Sequence, residues 1–188
     1  MFSDIQVTNE RKFLTFMEEQ GVPGIFLSDI LRLIEGTDFF TAPASTQYHG
    51  AYPGGLFDHC LAVAQLLVDW TKKGLIEWER SWSPAVVGML HDFTKVDKYE
   101  PFYGNDDKVP TGYDYSVHSL SYGGHGSDSC IKILQEVNLS QEEILCIRYH
   151  MGAYERDDWN GFEQAIQRYQ TVLWTHHADM VASKVMGV

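Results

Sequence analysis

The stretch that decides the fold is Ala85-Val86-Val87-Gly88-Met89-Leu90-His91-Asp92-Phe93-Thr94-Lys95. Six small or apolar residues follow Ser83-Pro84, and proline in a first helical turn is a strong start signal. The spacing predicts a helix capped at Ser83 that ends near His91-Asp92. An imidazole beside a carboxylate on one short, rigid piece of backbone offers a divalent cation two ligands at once. The dipeptide gains meaning from its surroundings. His59 lies 32 residues before His91, and His125, His150 and Asp179 lie 33, 58 and 87 residues after Asp92. These intervals are of helix length, so the polar residues fall on successive helices.

Working outward, most of the chain reads as helices joined by loops. Asn9 to Gln20 carries Phe13, Phe16 and Met17 at helical spacing and is stopped by Gly21 and Pro23. Ile25 to Glu35 places Leu27, Ile30, Leu31 and Ile34 on one side. Thr41 to Gly55 is a loop. Leu56 to Lys73 predicts a long helix ended by Gly74, with His59 on the same side as Leu56, Cys60, Val63 and Leu67. A helix is expected from Ser127 or Asp128, as cap, to about Val137. Ser140 and Glu143 form a capping box that opens the helix leading to His150. One last helix is expected over about Glu163 to Lys184, placing Ala165, Tyr169, Val172, His176 and Asp179 along one face. Residues 97–117 read as a loop or small hairpin turning near Asn105-Asp106, rich in aromatics. The expected fold class is all-α, with a small β hairpin at most.

At 188 residues, 44% hydrophobic and 21% charged, the chain is expected to form a single domain, 1–188, with a real core. Leu61 to Val68, the longest strongly apolar stretch, is too short to span a membrane, and Met1-Phe2-Ser3-Asp4 does not open a secretory signal. A cytoplasmic protein without membrane association is the expectation. Cys60, Cys130 and Cys146 lack zinc-knuckle or redox spacing, which suits inert thiols in a reducing compartment. A formal net charge of −12 with no Lys/Arg run argues against duplex DNA as a partner. Two bound divalent cations would add local positive charge and let the site accept a small phosphate ester.

Asp179 strengthens the metal reading. It stands on the same face as Val172 and His176, with no basic residue one turn before it and Lys184 five residues after. An unpaired buried carboxylate costs several kcal/mol, and a cation removes that cost.

The ordered set His59, His91-Asp92, Asp179 resembles the signature of the HD-domain superfamily of metal-dependent phosphohydrolases. His125 (in Gly124-His125-Gly126-Ser127) and His150 (in Tyr149-His150-Met151-Gly152) match the two histidines that mark members with a second metal. The stretch from Ala42-Pro43-Ala44-Ser45-Thr46-Gln47-Tyr48-His49 through Gly54-Gly55-Leu56-Phe57-Asp58-His59 looks like the approach to the HD domain of bacterial 3′–5′ exoribonucleases and related phage-type HD proteins. The resemblance covers about residues 38–185, leaving 1–37 as an N-terminal helical extension.

It implies an HD-domain helical bundle with two divalent ions per chain (Mn, Ni, Zn or Fe). His59, His91, Asp92 and Asp179 would hold the first ion, and His125 and His150 the second, with Asp92 bridging. The implied activity is phosphohydrolysis of a phosphomonoester or phosphodiester, of a nucleotide or short oligonucleotide, by hydroxide formed between the cations. Asp92 and Lys95 are the implied catalytic residues, the lysine neutralising a phosphate oxygen. Where the family often has Gly before that lysine, this chain has Thr94. Processive RNA degradation is not expected, because such enzymes use a separate nucleic-acid-binding domain. Mixed-valent di-iron oxygenases of the superfamily use the same six ligands, and a catalytically silent metal-binding regulatory HD domain is a further alternative.

Other residues stay open at this level. His49 could face substrate or pack its loop, and His176 could support the site or the core. His118 and His177 have no supporting context. Tyr99, Phe102, Tyr103, Tyr113 and Tyr115 could form an aromatic lid on which a base stacks, or simply pin the loop.

Overall fold

The computed structural model describes residues 2–104, 110–117, 119, 121, 123–152 and 158–188. These residues are mostly helical, with one small two-stranded antiparallel sheet. The chain starts with α1 (Phe2–Glu19) and α2 (Gly24–Ile34). It continues through α3 (Gly55–Lys72), α4 (Ser83–Leu90) and a 3-10 turn at Phe93–Lys95. A hairpin follows, β1 (Tyr99–Tyr103) and β2 (Pro110–Tyr115), and then α5 (His125–Ile133), α6 (Gln141–Arg148), α7 (Trp159–Arg168) and α8 (Thr171–Val181). A π-helical turn, Ala182–Met186, extends α8. The turn expected at Asn105-Asp106 lies outside the described residues.

The apolar spacing in α3 is realised as a buried face of Leu56, Cys60, Val63 and Leu67, with His59 buried beside them. Gly55 starts the helix at a point where any Cβ would fall on the Gly50 carbonyl. α4 is buried at every position from Ser83 to Leu90, so it runs through the middle of the core. Gly88 lets α4 lie directly on the α3 backbone at Ala64.

Ser83 does not cap α4 as expected; Trp82 holds the cap position. The Ser83 hydroxyl is instead used across the fold, donating to Glu143 Oε1 at 2.7 Å. Glu143 is buried, and its other oxygen accepts from the Ser140 N–H at 2.7 Å and pairs with Arg80 at 3.3 Å. The capping box of α6 is present in full. It doubles as the clamp that ties α6 to the start of α4.

Two further expectations need correction. α5 begins at His125 with Gly124 as cap, rather than at Ser127 or Asp128. The Asp128 carboxylate is committed to the preceding loop, accepting from the Gly123 N–H at 2.8 Å and the Ser121 hydroxyl at 2.7 Å. The last helix is not continuous from Glu163 to Lys184. It breaks at Tyr169, whose backbone is extended (φ −140°, ψ 108°), and restarts as α8. Val172, Thr175 and Asp179 are therefore presented by a different helix from Ala165.

A cluster of edge-to-face and tilted rings joins the parts that carry the site. Phe39 lies 6.2 Å from Phe57 of α3 and 6.1 Å from Phe93 of the 3-10 turn, and Phe13 of α1 lies 5.7 Å from Phe40. Such pairs contribute ~0.5–1.5 kcal/mol each beyond area burial. α1 and α2 thus share one hydrophobic core with the rest of the described chain. The loop before α3 is also clasped to the segment after the 3-10 turn. The Asp97 N–H donates to Asp38 Oδ1 at 2.7 Å, and the Asp38 N–H donates to Asp97 Oδ1 at 3.2 Å. All three cysteines are buried and unbridged. Among the described residues no helix is long and apolar enough to cross a membrane.

Candidate metal centre

His59 projects from the buried face of α3, His91 closes α4, and Asp92 follows where the backbone leaves the helix (φ −102°, ψ 22°). His150 lies just past α6, and Asp179 lies in the last turn of α8. Side chains drawn from across 120 positions of sequence therefore meet at one point. His59, His91, Asp92, His150 and Asp179 are all buried.

Their ring nitrogens are sorted by the main chain. His91 Nδ1 lies 2.8 Å from the Gly88 carbonyl, His150 Nδ1 2.7 Å from the Ile147 carbonyl, and His59 Nδ1 3.0 Å from the Val188 carbonyl. A carbonyl only accepts, so in each ring Nδ1 carries the proton and Nε2 presents a lone pair. Those lone pairs point at one another and at carboxylates. His59 Nε2 is 3.1 Å from His91 Nε2 and 3.2 Å from Asp179 Oδ1. Asp92 Oδ2 is 3.5 Å from His59 Nε2 and 3.7 Å from His91 Nε2. On the other side, Asp92 Oδ1 is 3.4 Å from His150 Nε2, and both atoms are buried without a hydrogen-bond partner.

Acceptors facing acceptors in a dry interior repel unless a cation stands between them. The donor set fits a divalent metal: imidazole and carboxylate ligands, with each imidazole oriented through its other nitrogen. Two groups of ligand atoms each lie within 4.8 Å of one another: His59, His91 and Asp179, and His91, Asp92 and His150. Asp92 faces both groups, the position expected of a bridging ligand. His125 Nδ1 lies 4.0 Å from Asp92 Oδ1, on a more exposed side chain, and stands outside both groups.

Electrostatics follow the same logic. Burial pushes His91 down to about 3, keeping it neutral and able to ligate. Burial lowers His125 as well. Burial alone would raise Asp92, but the Lys95 ammonium, 2.6 Å from Oδ2, and the facing imidazoles hold it well below the usual carboxylate range. Asp179 is likewise held down against burial, by His59 and the other imidazoles. His150 is raised against burial by Asp92, so the cluster draws positive charge into its centre. Lys95 is buried and paired to Asp92, which holds its ammonium in the charged form against burial.

Above the cluster lies a cavity of about 260 Å³ whose floor includes Asp92, Lys95, His125 and Asp179. Its walls include His49, His176, Tyr99 and Tyr115. His49 packs 5.2 Å from the His59 ring and is pushed down to about 4 by burial. His176 donates from Nδ1 to the His150 carbonyl at 2.8 Å, supporting the loop that carries this ligand. His177 packs edge-on against Trp174, and His118 lies outside the described residues. The expected aromatic lid is only partly realised. Tyr99 and Tyr115 line the cavity, Tyr113 is buried, and Phe102 and Tyr103 are exposed. A larger groove of about 630 Å³, lined by Gln6, Arg32 and Phe40 among others, contains none of the clustered ligands.

Sequence reasoning missed the carbonyls of Gly88, Ile147 and Val188, which orient the ligands, because a main-chain acceptor leaves no signature in residue type. It also missed Met151 and Met180, which line the cavity. No protein-family model, curated protein or solved structure matches the chain.

Proposed function

We propose that the chain is an HD-type metal-dependent phosphohydrolase acting on a phosphomonoester or phosphodiester of nucleotide size. The carrying observation is the convergence of three Nε2 atoms on the Asp92 and Asp179 carboxylates, which line the adjoining cavity together with Lys95. His59, His91, Asp92 and Asp179 would hold one ion. His150 and Asp92, with His125 beside them, would hold a second. Bound there, divalent cations supply Lewis acidity that lowers the pKa of water and polarises a phosphoryl oxygen. Lys95 brings a fixed positive charge to the same floor and is the residue to neutralise a non-bridging oxygen as charge builds on the phosphoryl group. The chain's own contribution is to aim the imidazoles through main-chain carbonyls, keep His91 neutral and Asp92 ionised, and keep the surroundings dry.

The test combines elemental analysis with a phosphoester screen. Protein reconstituted with manganese should carry about two ions per chain and hydrolyse a phosphoester without oxygen, and Asp92→Ala should lose both properties together. Full metal content and full activity in that variant refute the assignment. Turnover that requires iron and consumes dioxygen would move the chain to the oxygenase chemistry of the same ligand set.

A further inference from the structure

The cavity has a two-sided character that the ligand cluster does not require. Its buried lining is charged, while its exposed lining carries large apolar side chains beside Lys184. Of the large apolar side chains left exposed in the fold, Tyr115 (62%), Met180 (40%) and Met151 (36%) line this one space. Exposed apolar groups gathered around a concavity mark a ligand surface, since solvent contact there is unfavourable until it is covered.

Their placement is specific. Tyr115 pairs across the hairpin with Tyr99, the rings 5.4 Å apart, and the Lys98 ammonium lies over the Tyr115 ring at 5.9 Å. Thioethers such as Met151 and Met180 make favourable sulfur contacts with aromatic ring edges. A tyrosine and two methionines facing one space suit a flat ring.

Size and charge narrow the ligand further. About 260 Å³ falls just below the ~300–1,000 Å³ typical of ligand pockets. Among the described residues, Lys95 and Lys184 are the lysines lining it, and no arginine does. Binding a nucleic-acid strand calls for a row of cations along its phosphates. One ring and one anionic group fill what this cavity offers.

We infer that the site takes a single-unit phosphomonoester bearing one planar apolar ring. Tyr115, Met151 and Met180 grip the ring while the phosphate meets the floor, and a polynucleotide is excluded. The inference deepens the phosphohydrolase reading and rests on it for the position of the phosphate. Tyr115 is a specificity residue, since it touches only the ring.

The test is calorimetric binding of phenylphosphonate, methylphosphonate and a 5′-phosphorylated single-stranded hexanucleotide to the manganese-reconstituted protein. Phenylphosphonate should bind about ten-fold tighter than methylphosphonate, the scale of one stacked ring. Tyr115→Ala should erase that advantage and leave methylphosphonate binding unchanged. Phe102→Ala, on the same hairpin but outside the cavity, should alter neither. Equal affinity for the two phosphonates overturns the inference. So does an equal loss for both in Tyr115→Ala, absence of binding, or hexanucleotide binding as tight as phenylphosphonate. Turnover separates the two readings. Ring-selective binding without hydrolysis of phenyl phosphate overturns the hydrolase and leaves the ring pocket standing, whereas hydrolysis indifferent to the ring does the reverse.

Discussion

Gly88→Ala tests whether the closeness of α3 and α4 is what assembles the ligand cluster. A Cβ at Gly88 would lie 2.5 Å from Ala64 N and 2.6 Å from Ala64 Cβ, and closer still to Ala64 Cα. Ordinary contact between carbon atoms is ~3.5–4.0 Å, so the two helices must part or slide by about 1 Å. The obstacle is mainly backbone, which cannot swing aside. That places the cost near the upper end of the ~1–3 kcal/mol typical of overpacking. Alanine recovers about 1 kcal/mol over glycine in helix propensity. The net loss is about 2 kcal/mol, which in a chain of this length lowers Tm by roughly 4–8 °C.

The second consequence is more telling. His59 rides on α3 and His91 ends α4, with their Nε2 atoms 3.1 Å apart, while metal–ligand distances tolerate only about 0.2 Å. Metal affinity, measured by competition with a chelating dye, should fall well beyond the loss of stability. Adding Ala64→Gly should not restore it, because the Ala64 Cα and N remain in the way. A variant with unchanged Tm and unchanged metal affinity refutes the argument that this contact sets the site.

Two further outcomes are expected. His150→Ala should cut the metal count from about two to about one, whereas His125→Ala should weaken the second ion without abolishing it at saturating metal, because His125 lies outside both close groups; the reverse order in elemental analysis would show the second site misassigned. Burial pushes Asp38 up to about 6, above its ordinary 3.8, so the stability it contributes is fully present below the lower value and is lost as pH rises through the higher. Asp38→Asn keeps an oxygen for the Asp97 N–H and should therefore be more stable than the parent by on the order of 1–2 kcal/mol at pH 7.5, with the gap closing towards pH 4. Urea unfolding at both pH values reads this directly, and an equal gap at both rules it out.

The sequence was most legible where a residue type carries its own conformational rule. Gly74 ending α3, Pro84 in the first turn of α4 and the Ser140/Glu143 box each appear where spacing predicts them. The buried polar residues were legible for a related reason, since His59, His91 and Asp179 interrupt faces that are otherwise apolar. The break at Tyr169 was not legible. No glycine or proline marks it, and the apolar period runs on through it. Ser83 and Asp128 misled because each has the chemistry of a cap but uses its oxygen on a distant or preceding segment. Competition of that kind is decided in three dimensions. The gathering of Met151, Met180 and Tyr115 around one cavity was hidden likewise, since nothing in their local sequence places them together.

The three carbonyls behind His59, His91 and His150 have a consequence for how the candidate site tolerates genetic change. In many metal sites the outer acceptor is a side-chain carboxylate, which one substitution can delete. Here the acceptors belong to Gly88, Ile147 and Val188 as main chain, and every amino acid has a carbonyl. No amino-acid substitution removes them. The supporting layer is therefore robust to drift in residue identity and vulnerable only through displacement of the backbone. Its weak points are those where the main chain has no room to yield, with Gly88 serving at once as a spacer between helices and as the acceptor for His91.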